Sequence, residues 1–255
     1  MLGVIEITPW HWAGFIGCVL FFLALDLGVF HKSAHVVKFK EAIGWTTLWV
    51  TLSFAFGLFI APAVVPGWEK QDTVEFITGY VIELSLSMDN VFVIALIFTY
   101  FRVPPQYQHR VLFWGILGAL IMRGAMIAAG AAVINRFSWT LYLFGAFLVF
   151  TGIKMLFVND AGVHPEKNPV LRLAKKFFHV TPEFHGQKFS LREHGKLVLT
   201  PLALVLLMVE TTDLIFALDS IPAIFAITTK PFIVFTSNVF AILGLRSLYF
   251  VLAGA

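Results

Sequence analysis

Apolar residues in this chain come in long runs separated by short polar breaks. Seven runs stand out, at approximately 10–30, 43–65, 74–100, 111–134, 139–158, 197–228 and 232–255. Most approach or exceed the roughly 20 residues that an α-helix needs to cross ~30 Å of hydrocarbon. The punctuation is Pro66-Gly67, Pro104-Pro105 and Lys230-Pro231. One long polar segment, 159–196, interrupts the series and carries a basic stretch from Leu171 to Lys176. The pattern predicts an all-α, polytopic membrane bundle of about seven spans, with 1–255 as a single transmembrane domain. Within the polar segment, Val170–Val180 reads either as a basic amphipathic helix lying along the membrane surface or as a solvated loop.

Composition agrees with a membrane chain. Of 255 residues, 59% are hydrophobic and 13% charged, against about 25% charged in soluble domains; the mean hydropathy is +0.86. The first apolar run has no basic segment before it and reads as a true span, not a cleaved signal. The net charge of +3 is carried by loop residues, which points to the bilayer and away from nucleic acid. With the N-terminus outside, the inner loops hold three, two and eight Lys/Arg (Lys32, Lys38, Lys40; Arg102, Arg110; Lys154 through Lys196), and the outer segments hold Lys70, Arg136 and Lys230. The positive-inside rule therefore places the N-terminus outside and 159–196 in the cytoplasm. The single cysteine, Cys18, has no internal partner. The final run reaches Ala255 without a polar flank, which suggests that further spans belong after it.

Two stretches repeat one pattern. Glu83-Leu-Ser-Leu-Ser-Met-Asp89-Asn90 and Asp213-Leu-Ile-Phe-Ala-Leu-Asp219-Ser220 both place an acid, five residues, a second acid and a small polar residue. Each is followed by a span with one arginine, ending Gly115 to Arg123 in the first copy and Asn238 to Arg246 in the second. The acidic segments are three spans apart and so cross in opposite directions. Repeat one, about 74–158, and repeat two, about 197–255, form an inverted pair of the kind that holds an ion site near the bilayer midplane.

Asp26, Glu83, Asp89, Glu210, Asp213 and Asp219 all fall within the runs. A carboxylate facing lipid at a span centre costs roughly 2.5–3.5 kcal/mol, so these groups must face inward, be protonated or be neutralised. The bases within the runs are Arg123 and Arg246, too few for six acids; each is expected to hold an acid. Asp26, near the end of the first run, is an outlier that could reach water. Residues six apart on a helix point about 120° apart, so Glu83 and Asp89 do not share a face, nor do Asp213 and Asp219. A single site for all of them requires broken helices. The sequence suggests a break at Asp219–Pro222 and a weaker one near Asp89–Asn90, with Ser85, Ser87, Thr211 and Thr212 bonding the freed backbone.

The donors inside the runs are carboxylates, Asn90, Asn238 and hydroxyls, with histidines at segment edges and no cysteine pair. Oxygen ligands suit magnesium, calcium or manganese and disfavour zinc and copper; a proton relay through the same acids is the other reading. The Gly-x-Gly-Asp signature of intramembrane aspartyl proteases is missing, and no serine–histidine dyad lies in the runs. The expectation is a protein that is not an enzyme and has no organic cofactor.

Glu83-Leu-Ser-Leu-Ser-Met-Asp-Asn-Val-Phe and Glu210-Thr-Thr-Asp-Leu-Ile-Phe-Ala-Leu-Asp-Ser-Ile-Pro-Ala-Ile-Phe-Ala closely resemble the two hallmark stretches of the TerC family of integral membrane proteins. Phe113-Trp-Gly-Ile-Leu-Gly-Ala-Leu, His164-Pro-Glu-Lys-Asn-Pro-Val-Leu-Arg-Leu and Thr236 to Arg246 extend the match, most closely to the Alx-like branch. The resemblance implies the LysE-type exporter group, a bacterial inner-membrane location and export of manganese (Mn2+). It carries the metal-site role onto Glu83, Asp89, Asn90, Glu210, Asp213, Asp219 and Ser220, with Asp26, Arg123 and Arg246 in support. It also implies spans beyond Ala255, including a partner to span five. The other functional reading is a non-transporting membrane factor that aids metal loading or assembly of other proteins, with 159–196 as its docking surface. Protein partners and oligomeric state are left open by the residues.

Overall fold

The computed structural model describes residues 6–25, 39–157, 168–193 and 195–253. Asp26 lies outside the described residues. The helices are α1 (Pro9–Leu25), α2 (Phe39–Ala55), α3 (Ala61–Val64), α4 (Lys70–Tyr100), α5 (Pro105–Arg136), α6 (Thr140–Phe157), α7 (Pro169–Phe177), α8 (Pro201–Phe225) and α9 (Pro231–Ala253). A π-helical turn, Phe56–Ile60, joins α2 to α3, so the two act as one long apolar element. Five elements are long and apolar enough to cross a membrane: 39–64, α4, α5, α8 and α9; α1 and α6 are apolar but shorter. Proline opens α1, α5, α7, α8 and α9, where its missing N–H costs nothing. Gly67 turns the chain after α3 with φ 78°, a conformation that suits glycine.

The connections gather at two ends. At one end the Glu6 N–H donates to Pro66 O, and Lys230, after α8, pairs with Asp72 at the start of α4. At the other end Arg110 donates to Gln187, and Tyr249 donates to Gln108. Hence α4 and α8 run in opposite directions, as do α5 and α9. The core between them is tightly packed: α9 is the most enclosed span, and α1 docks on it through Trp12 and Phe15 against Phe232 and Phe235. Offset and edge-on aromatic pairs of this kind contribute about 0.5–1.5 kcal/mol each beyond area.

Three expectations change. First, the acid-bearing helices are unbroken: α4 and α8 run continuously through Asp89–Asn90 and Asp219–Pro222. Pro222 lies three residues before the end of α8, where the helix loses one bond and stops soon after. Accordingly Ser85, Thr211 and Thr212 bond their own i−4 carbonyls and rescue no freed groups. Second, the polar segment is folded. It holds α7 and a three-stranded sheet, β1 (His179–Val180), β2 (Ser190–Glu193) and β3 (Lys196–Leu199). The sheet order is β1-β3-β2, with β1 parallel and β2 antiparallel to β3. The expected sixth span therefore starts at Pro201 and not 197, because an apolar run as short as Leu197–Leu199 fits strand or helix equally well. Third, Lys154 belongs to α6 and not to a loop.

A buried arginine cluster as the candidate functional site

Glu83 lies near the middle of α4, Arg123 near the middle of α5 and Asp213 near the middle of α8. Their side chains meet. Arg123 Nη2 donates to Asp213 Oδ1 at 2.8 Å and its Nε to Oδ2 at 3.1 Å, a bidentate fork that matches carboxylate geometry. Its Nη1 donates to Glu83 Oε1. The same nitrogen stands 3.4 Å from Ser220 Oγ and 3.4 Å from Asn238 Oδ1. Arg123 and Glu83 are each 1% exposed. One guanidinium thus ties four helices together and takes the corresponding acids of both sequence motifs. Two carboxylates face one base, so the cluster carries a net negative charge when all three groups are ionised.

The cluster is incompletely bonded. Along one face of α4, at i, i+4 and i+7, Glu83 Oε2, Ser87 Oγ and Asn90 Oδ1 are buried with no hydrogen-bond partner among the described residues. Asn90 reaches Asp213 only through Nδ2, at 3.5 Å. At the Asn90 end is a cavity of about 30 Å³ lined in part by Asn90, Gly115, Thr212 and Asp213, room for one water-sized occupant. A buried polar group without a partner costs about 1–3 kcal/mol; three on one face are what an oxygen-ligated guest would satisfy.

The other expected residues divide. Glu210, one turn before Asp213, lies against α5 where Gly118 leaves room: a Cβ on Gly118 would stand 2.0 Å from Glu210 Oε1. Glu210 Oε2 is also buried and unpartnered. Asp89 is exposed and Asp219 half-buried, turned off the cluster by the helical phase that six residues impose. Asp219 instead feels the charge of Lys154 on α6. Arg246 is 8% exposed and borders a separate small cavity with Trp45, Trp49 and Ser247. Among the described residues no three of His, Cys, Asp and Glu come close enough to hold one metal ion together. Asn238, expected only as a donor within the runs, bonds Arg123, and Ser87, expected to bond freed backbone, lies on the Glu83 face of α4 instead. Ser87 could have been found from its spacing, one turn from Glu83; Asn238 needed the tertiary approach of α9.

Residues 68–255 match the model of the family described as integral membrane protein TerC family. The chain belongs to the TerC family. Its relatives include an uncharacterised membrane protein, STKORF319, of Myxococcus xanthus, 55% identical over 97% of this chain and 76% of its own length. Alx of Salmonella typhi, described as a proposed membrane-bound redox modulator, is 48% identical over 97% of this chain and 78% of its own. Alx of Escherichia coli K12, described in the same words, is 46% identical with the same coverage. No solved structure matches. All the acids of the two TerC-like stretches lie on α4 and α8, and α5 supplies the arginine that joins Glu83 to Asp213.

Proposed function

We propose that this TerC-family protein exports a divalent metal cation, manganese, from the bacterial cytoplasm through the buried carboxylate site, in exchange for protons. The observation that supports it is the pairing of Glu83 and Asp213 on Arg123 beside unpartnered oxygens and a small cavity. In this reading Arg123 stands in for the cargo. It neutralises the acids while the site is empty and swings aside as a divalent cation arrives. Glu83, Asp213 and Asn90 would ligate the ion, with Ser87, Glu210 and Ser220 adding oxygens; a hard oxygen set suits manganese. Asp89 and Asp219, on other faces of the same helices, would be stations on the route. The opposite directions of α4 and α8 fit two inverted repeats, 74–158 and 197–255, sharing one midplane site. The lysine and arginine distribution supports an orientation with the N-terminus outside and 159–196 in the cytoplasm.

The test is manganese movement into liposomes carrying the protein. Wild type should transport, and Glu83→Gln and Asp213→Asn should each lose most of the rate while keeping the fold by circular dichroism. Full rates in both variants would overturn the site; no transport by well-folded wild type would overturn the function. The folded 168–199 segment favours one second reading, a non-transporting factor that docks protein partners there. It would be recognised by partner capture that survives both substitutions. The relatives' description as redox modulators gains no support from thiol chemistry here, because the sequence holds one cysteine.

A further inference from the structure

Helix α7 presents three sectors. Leu171, 1% exposed, packs inward on Leu202, Val205 and Met208 of α8. Val170, Leu173 and Phe177, spaced i, i+3 and i+7, form an apolar stripe that no other described element covers, at 39%, 57% and 70% exposure. Arg172, Lys175 and Lys176 form a basic stripe of exposed residues, with no acid anywhere in the helix. On an α-helix these stripes lie roughly 140° apart, on either side of the inward face.

The depth of α7 is fixed by its N-cap. Asn168 caps the helix through Val170 N–H and Leu171 N–H, and its Nδ2 donates to Met208 Sδ at 3.2 Å. Met208 is seven residues into α8, about 10 Å along the axis from Pro201. The C-terminal end of α7 leads into β1, which pairs with β3 just before α8 begins. The helix therefore rises from within the apolar zone to its border, the level at which an interfacial helix buries its apolar face about 5–10 Å into the headgroup and acyl boundary.

We infer that α7 is a binding surface for anionic phospholipid, with Val170, Leu173 and Phe177 among the acyl chains and Lys175 and Lys176 on the headgroup phosphates. Charge complementarity chooses the occupant: a neutral lipid would cover the apolar stripe but offer no anion to Lys175 and Lys176. The inference is independent of metal export.

Native mass spectrometry of the full chain in detergent, offered phosphatidylglycerol and phosphatidylcholine, tests it. Wild type should retain the anionic lipid preferentially, and Lys175→Gln with Lys176→Gln should reduce that preference about tenfold or more. An unchanged preference overturns the inference. A second measurement does not depend on the double variant. Leu173→Cys, made with Cys18→Ser and labelled with a fluorophore in phosphatidylglycerol vesicles, should be quenched by nitroxide lipid. Quenching by aqueous iodide alone would mark a water-facing protein-docking surface and overturn it.

Discussion

Arg123 shows how much one residue can decide. Its guanidinium has donors for two carboxylates and the fork to hold one of them bidentately. Removing it leaves Glu83 and Asp213 without a counter-charge, and breaking a buried pair of this kind costs about 3–5 kcal/mol. Arg123→Met should therefore lose stability in that range by unfolding in detergent micelles. Arg123→Lys should lose less, since it keeps the charge but not the fork. Wild-type stability in Arg123→Met would mean that the acids are neutral without it. The acids and this base were legible in the sequence as charges inside apolar runs. Which acids meet was not: the phase of α4 and α8 puts Glu83 and Asp213 inward and turns Asp89 and Asp219 away.

At the scale of the helices, close approach replaces the hydrophobic drive that lipid removes. Gly57, in the π-helical turn after α2, shows the tolerance. A Cβ there would lie 2.6 Å from Cδ1 of Phe76 on α4. Phe76 is fully buried and wedged against Phe56 and Phe240 at ring separations of 5.3 and 6.0 Å, so its ring cannot yield cheaply. Gly57→Ala should cost about 1–3 kcal/mol by overpacking, read as a lowered melting temperature with the helical signal intact. An unchanged melting temperature would show that α2 and α4 are free to separate. The expected helix breaks failed at this same scale. They were invoked to gather every acid into one site, and a long arginine side chain gathers two of them, Glu83 and Asp213, without a break in either helix.

Across the whole molecule, at the end opposite the 168–199 segment, Lys230 ties the α8–α9 connection to the start of α4. Its ammonium bridges Asp72 and Glu75 beside a cavity of about 340 Å³ lined by Glu75, Thr228, Thr229 and Lys230. Burial pulls the Lys230 pKa down, but the hydrogen bond and charge of Asp72, with Glu75 behind them, outweigh it and hold the pKa above the ordinary lysine value. A raised pKa in the folded state means the stabilisation is fully present below the unfolded lysine value of about 10.4 and fades as pH rises through the folded one. The melting-temperature advantage of wild type over Lys230→Met should be constant from pH 8 to about 10 and shrink above that. An advantage that persists undiminished to pH 12 would show that charge is not what Lys230 contributes.

The sequence by itself determined the class of this protein. Apolar runs can be stable in only one solvent, and motif acids inside such runs must answer to each other or to a cation. It also determined the family, because the motifs depend on local chemistry and order. Only the tertiary structure decided the partners. Asn238 entered the cluster, Glu210 found its place over Gly118, and 196–199 became a strand because β1 and β2 lay beside it. Each outcome depends on which faces of distant helices and strands approach, and the pattern of a single segment carries no record of its neighbours.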